Sequence, residues 1–302
     1  MDIKRLTLFC KIVELKSFTR AAEAVHLSQP SVSEQLRLLE ESVGERLLDR
    51  MGREVVPTPA GRKLYPYARQ ILQLREEARQ AMATFRGELA GTLSIGASTI
   101  PGTYILPGVI QQFRQQYPAC RISIRIAGSG AIVQGVLESD YEFGLTGSRF
   151  RETRCAFEPL WDDQLAVILP VGHPLAGLPE LPPEQLGNLP FVQREVDSGT
   201  RVFSETALRE AGCDPGSLRI VAEFGSNEAV RQAVLAGLGA GILSLRAVAS
   251  ELDRGELVAL PVRGTRMRRS FYLVQRRKRQ LSPLAEAFLV HMRKAANSAP
   301  GV

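Results

Sequence analysis

Leu27-Ser28-Gln29-Pro30-Ser31-Val32-Ser33-Glu34-Gln35-Leu36 is the stretch on which the reading of this 302-residue chain turns. Ser28 can cap a helix, and Pro30 sits in its first turn, where a missing N–H costs nothing. Val32, Leu36, Leu39 and Val43 recur at three- and four-residue steps and give that helix a buried stripe, with Gly44 as its terminator. Gln29, Ser31, Ser33, Glu34 and Arg37 fall on its other faces.

Upstream, Leu6, Phe9, Ile12 and Val13 mark a first helix over about residues 3–15. Ser17 can cap a second, whose Ala21, Ala22 and Val25 are slim enough for a close crossing, and His26-Leu27 forms the break before the third. Two short helices joined by a tight turn, the second with polar groups on its outer face, can place a recognition helix in a major groove. Gln bonds an adenine edge, Ser several base edges, and Arg guanine or phosphate. A plain helical hairpin with a solvated face has the same pattern. Downstream, Leu47-Leu48-Asp49-Arg50, Met51-Gly52-Arg53 and Glu54-Val55-Val56-Pro57 read as two extended pieces around a glycine turn, which is a wing. Arg50 and Arg53 would there meet phosphate charge.

From Thr58, with Pro59 at the first helical position, a helix is predicted to Arg86, with Gly87 as its stop. Its 28 residues span roughly 42 Å. Leu64, Ile71, Ala78 and Phe85 are spaced by seven, and Tyr67, Leu74 and Ala81 fall three later, so a heptad seam is present. The seam predicts a homodimer, which suits a two-fold operator; packing against the chain's own globular part is the other way to bury it.

Beyond Gly91 strand and helix alternate through two successive α/β halves, which predicts parallel sheet. Four points set hydroxyls at strand ends or helix starts: Ser98-Thr99 with Thr103, Ser129-Gly130, Ser198-Gly199-Thr200 and Ser226-Asn227. Each can hold an anion at a helix N-terminus, and each is also an ordinary cap. Their convergence on one cleft is the expectation.

The composition is globular, with 44% hydrophobic and 23% charged residues and a net charge of +6. Residues 1–90 hold 15 Lys and Arg against 12 Asp and Glu, so any basic surface must be local. Cys10, Cys120, Cys155 and Cys213 are scattered without metal-ligand spacing, which favours isolated thiols in a reducing compartment and hence the cytoplasm. No secretory signal or membrane span is expected, and no metal or cofactor is called for.

A nicotinamide enzyme is the rival from another class, because Gly128-Ser129-Gly130-Ala131-Ile132-Val133 follows a strand and opens a helix. The third glycine of a dinucleotide loop is Val133 here, and no following strand ends in an acidic residue at the usual interval. Gly237-Leu238-Gly239-Ala240-Gly241 follows a helix, the context of a helix terminus leading into a strand. His26, His173 and His291 have no triad partner in view, so a hydrolase is not indicated.

Phe18-Thr19-Arg20-Ala21-Ala22, the stretch from Leu27 to Leu36, Leu39-Glu40, Gly44, Leu47 to Arg50 and Thr58-Pro59-Ala60-Gly61 together resemble the DNA-binding signature of the LysR family of transcription regulators. That resemblance implies an N-terminal all-α winged helix-turn-helix over residues 1–58, a dimerising linker helix and hinge over 59–90, and an α/β effector domain over 91–302. The effector domain would be two-lobed and periplasmic-binding-protein-like, with lobe I about 91–161 and 268–302 and lobe II about 162–267. The resemblance places Gln29, Pro30 and Ser33 near bases and Arg50 and Arg53 near phosphates, with Ser31, Glu34 and Arg37 on the same surface. Many members carry a basic residue where this chain has Glu34; a carboxylate there can read a cytosine amino group, pair with Arg37 or face solvent. It puts Ser98, Thr99 and Thr200, with Thr103, Ser129 and Ser226, at the effector site. The partners implied are double-stranded promoter DNA, a small carboxylate or inorganic oxyanion (a sulfur oxyanion among them), a second and possible third and fourth copy of the chain, and RNA polymerase.

Overall fold

The protein is described by a computed structural model over residues 2–51, 54–85 and 89–298. It divides into two compact units: Met1–Gly91, with which Glu138–Asp140 and Leu281–Leu284 are grouped, and the remainder.

In the first unit α1 spans Ile3–Leu15, α2 Phe18–Ala24 and α3 Gln29–Val43. Ser17 and Ser28 cap the second and third, accepting from the N–H groups of Arg20 and Ser31, each at 3.3 Å. α3 stops at Gly44, whose φ of +76° is the left-handed conformation a helix terminus uses. Leu6, Phe9 and Ile12 meet Ala21, Val32, Leu36 and Leu39 in one core, whereas Val43, expected in the stripe, is 37% exposed on the last turn. β1 (Leu48–Met51) and β2 (Glu54–Pro57) form an antiparallel hairpin.

α4 runs over Pro59–Phe85, so it reaches the last residue before the undescribed 86–88, where the expected stop falls. Its start is fixed by Thr58, whose Oγ1 donates to Arg46 O at 2.7 Å and accepts from Gly61 N at 3.0 Å. Gly61 is obligatory, since a Cβ there would lie 2.0 Å from Leu47 O. The predicted seam is divided between two faces. Leu64 and Ile71 pack on the core of their own unit, while Tyr67 and Leu74 stand 60% and 66% exposed and Met82 57%. The first turns of α4 cross α1, and that crossing covers Leu64 and Ile71, while Ala78 of the same row is exposed.

The second unit holds β3 (Gly91–Ala97), a π-helical turn (Pro101–Ile105) continued by α5 (Leu106–Gln116), β4 (Cys120–Ile126), α6 (Ser129–Leu137) and β5 (Phe143–Thr146). β6 (Cys155–Pro170), α7 (Pro183–Leu186), β7 (Pro190–Arg194), α8 (Gly199–Glu210), β8 (Arg219–Phe224), α9 (Asn227–Leu235) and β9 (Gly241–Ser244) follow. α10 (Ala249–Asp253), β10 (Leu257–Leu260), β11 (Arg268–Arg276) and α11 (Pro283–Ser298) complete it.

The strand order is β10-β6-β11-β5-β3-β4, with β9 also on β6, and β7 pairs β8 separately. The expected parallel pairing holds for β3 with β5 and for β7 with β8. It fails at the centre: β11 is antiparallel to both β5 and β6, and β6 is antiparallel to β9 and β10. β6 is therefore the strand that continues from one paired half into the other. Residues 155–164 of β6 pair with β11, and residues 165–170 pair with β9 and β10. In that second half Leu165, Val167 and Leu169 enter one core and Ala166 and Ile168 another, so both faces of the strand are buried. The helix before β9 ends as expected, with Gly237 at a φ of +77°.

Candidate functional site

α3 presents Gln29, Pro30, Ser31, Glu34 and Arg37 to solvent and leaves Ser33 half-buried. This follows from the opposite side of the helix, where Val32, Leu36 and Leu39 are buried; at its start Ser31 Oγ lies 2.8 Å from Ser28 Oγ. Glu34 does not stand alone. Its carboxylate accepts from Arg37 Nε at 2.9 Å and from Nη2 at 2.7 Å, and those bonds hold it below the usual carboxylate range. Arg37 is shared with Glu41, so one cation faces two carboxylates and this part of the face is acidic rather than basic. Arg50 lies on β1 opposite Val55. Arg53 lies outside the described residues.

A cavity of about 110 Å³ opens in the second unit. Ser98 and Thr99 reach it from the end of β3, Ser129 from the start of α6, Ser198 and Thr200 from the start of α8, and Arg269 and Phe271 from β11. Four of the six hydroxyls expected at an effector site thus line one space. Thr103 is exposed on the π-helical turn, and Ser226 is exposed and accepts from Ala229 N at 3.1 Å as the cap of α9; neither lines the cavity.

The hydroxyls are not equivalent. Ser129 Oγ accepts from Gly147 N at 3.1 Å, and Thr200 Oγ1 from Arg269 Nη2 at 3.4 Å. Ser98 donates its backbone N–H to Leu145 O at 2.8 Å, but its Oγ is buried without a hydrogen-bond partner among the described residues. A buried hydroxyl left in that state costs roughly 1–3 kcal/mol, which a ligand acceptor would recover.

Two arginines that sequence reasoning passed over complete the wall. Arg194, at the end of β7, is buried; its Nε and Nη2 donate to Glu195 at 2.7 and 2.6 Å, and Nη1 bonds Asn227. Arg269 donates Nε to Asp163 at 2.9 Å and Nη1 to Gly199 O at 3.3 Å, and its guanidinium lies 5.5 Å from the ring centre of Phe203 and 5.3 Å from that of Phe271. Burial pulls the pKa of Arg269 down against the opposing effect of Asp163. Its signal was present in the sequence: counting back by two from the buried Leu273 and Phe271 puts Arg269 on the inward face of β11. The site as a whole joins helix starts, hydroxyl donors and two fixed cations, each paired with a carboxylate, with Glu195 and Asp197 also in the lining. That chemistry suits a small anion.

Comparison with known proteins agrees with this architecture. Residues 3–62 match the family described as bacterial regulatory helix-turn-helix protein, lysR family, and residues 86–297 match the LysR substrate binding domain. A RuBisCO operon transcriptional regulator of Allochromatium vinosum is 37% identical over 95% of this chain and 94% of its own. A full-length OxyR variant from Pseudomonas aeruginosa, 22% identical, shares the fold with a TM-score of 0.73 over 99% of this chain and 95% of its own. The regulatory domain of CcmR from Synechocystis PCC6803, solved in complex with 2-PG, is 28% identical and covers 70% of this chain and 100% of its own, with a TM-score of 0.63. Nothing in these likenesses supports the oxidoreductase alternative built on Gly128–Val133. With both family domains in place and in order, the chain belongs to the LysR family of transcription regulators.

Proposed function

We propose that this LysR-type regulator binds promoter DNA as a dimer through α3 and the β1–β2 wing, and is controlled by a small anion held in the cavity between β3, α6, α8 and β11. The observation that carries the effector reading is Ser98: a buried hydroxyl without a partner among the described residues, on a space walled by Thr99, Ser129, Thr200 and Arg269. A phosphorylated or carboxylated small molecule satisfies Ser98 and the helix starts at once. The 2-PG complex of the CcmR regulatory domain supports that class. The exposed row Tyr67, Leu74 and Met82 on α4 supports a dimer seam, on which pairing of sensor domains would build a tetramer. RNA polymerase is the protein partner such a regulator requires, and the cytoplasm is its place. The name shared by the RuBisCO operon regulators supports a RuBisCO operon as the target.

The effector reading is tested by thermal shift against small carboxylates and sulfur and phosphorus oxyanions, 2-PG included. A ligand at 100 times its Kd adds roughly 2.7 kcal/mol to the folded state. A saturable rise that disappears in Ser98→Ala and Thr99→Ala supports the cavity; no rise with any anion overturns it. For DNA, Gln29→Ala should relax sequence preference at one position, whereas Arg53→Ala should weaken all sequences and flatten the salt dependence. Equal losses on specific and random duplex for Gln29→Ala would remove that residue from base readout. Retardation of the DNA upstream of RuBisCO genes, and not of unrelated promoters, tests the target.

A further inference from the structure

The formal net charge of the chain is +6, and two short loops hold a surplus of the same size. Residues 149–154 carry Arg149, Arg151 and Arg154 against Glu152, and residues 276–279 are Arg276-Arg277-Lys278-Arg279, which is seven cations and one carboxylate. The rest of the sequence is balanced, so the excess is concentrated. The fold brings the two loops to one edge of the second unit. Arg276 is the register partner of Cys155, Arg277 N donates to Arg154 O at 2.8 Å, and Arg277 Nε donates to Cys155 O at 3.2 Å.

The cations on this edge have different tasks. Arg154 is tied to Glu152, with Nε at 2.9 Å and Nη2 at 2.8 Å. Arg276 and Arg279 donate to the carbonyls of Leu137 and Tyr141, at 3.2 and 3.0 Å, and so secure the turn beside a segment that carries Glu138, Asp140 and Glu142. Arg149, Arg151, Arg277 and Lys278 point outward and are exposed, and among the described residues none of these four is in an ion pair. Lys278 sits at the tip of its turn with a φ of +60°, a backbone that suits glycine or asparagine, and the chain places a charge there. Arg277 is anchored on a carbonyl, a contact that fixes its position and leaves its charge unneutralised.

The partner can be chosen by chemistry. Protein–protein interface cores are depleted of lysine and carry apolar area, and here the large apolar side chain is Phe150 alone, 37% exposed and leaning on Phe157. Unpaired guanidinium and ammonium groups on turns, with one aromatic between two arginines, match a phosphate backbone. We propose that this edge of the effector-binding unit is a second duplex contact, holding backbone phosphates outside the reach of the helix-turn-helix without reading sequence. The inference rests on the DNA-binding reading of the chain.

The test is the salt dependence of full-length protein binding to random-sequence duplex of about 80 base pairs, where each phosphate contact contributes about 0.9 to the slope of log K against log salt. Changing Arg149, Arg151, Arg277 and Lys278 together to Gln is expected to lower the slope by about three to four. The milder pair Arg151→Gln with Lys278→Gln, at two side chains without hydrogen bonds among the described residues, is expected to lower it by about two and guards against a folding defect in the larger variant. Sequence preference at the operator stays as it was in both. A native slope in both folded variants overturns the second contact and leaves the regulator reading intact. A native protein that shows no salt-dependent binding to duplex at all overturns the DNA-binding reading as well.

Discussion

Arg269 on β11 donates its Nε to Asp163 on β6 at 2.9 Å, and the two side chains are 6% and 0% exposed. The pair joins β11 to β6, the strand that continues into the second paired half, and the same guanidinium reaches Gly199 O and Thr200 Oγ1 at the start of α8. A single cation therefore joins the strand pair to one wall of the cavity.

Arg269→Met leaves Asp163 buried with Ser244 as its remaining side-chain partner, a hydroxyl that bonds but does not neutralise. Removing one member of a buried pair costs about 3–5 kcal/mol. Urea denaturation should show a loss of that order, and Arg269→Met with Asp163→Asn should recover part of it. A loss within the error of the measurement would mean that water reaches the pair in solution.

Ser98→Ala should act in opposite directions on the free and the bound protein. Without ligand it removes an unsatisfied buried hydroxyl and should be neutral or stabilising by up to about 1 kcal/mol. With a saturating effector the gain in melting temperature should fall. A clear destabilisation of the ligand-free variant would show that the hydroxyl is bonded in solution, for example by an ordered water.

Leu74→Glu places a charge in the exposed row of α4 and should convert a dimer to monomer in sedimentation velocity while leaving the helical signal in circular dichroism intact. The same change at Leu64 should unfold the first unit instead, because that side chain packs on the unit's own core. Equal outcomes at the two positions would contradict the division of the seam.

Thiol labelling should discriminate sharply among the four cysteines. Burial pushes the Cys10 thiol up to about 12 and raises those of Cys120 and Cys155 as well, whereas Cys213 is partly exposed. At pH 8 a thiol of pKa about 12 is ionised to roughly one part in ten thousand. Native protein should therefore react quickly at Cys213 alone, and the other three should react only on unfolding. Fast native labelling of Cys10 would indicate local opening of α1.

Much of the first unit was readable because its rules are local. Ser17 and Ser28 cap where a cap was expected, Gly44 ends α3, and the stripe from Val32 to Leu39 is buried. What escaped was decided by distant partners. Glu158-Pro159-Leu160-Trp161-Asp162-Asp163 carries charges and a proline that argue against a strand, yet it is the first half of β6, held by β11 across more than a hundred residues of sequence. Only Ala166 to Leu169 looked like strand, because there both faces are buried. Ser226 and Thr103 were indistinguishable in sequence from Ser98 and Thr200; which hydroxyls share a cavity depends on how β3, α6 and α8 are brought together. Arg37 illustrates the same limit in the first unit, since its partners Glu34 and Glu41 lie at helical spacing and compete with any phosphate for it.

The continuity of β6 bears on how this protein could be rebuilt. Two lobes joined by a flexible connector could be exchanged one at a time between relatives, as beads on a string. Here a cut between them passes through β6, and a shift of one residue in its second half would turn the inward side chains there toward water. Chimeras that aim to trade effector preference should accordingly graft the whole sensor as a single block, with the crossover placed before Gly91 and not within the 155–170 strand.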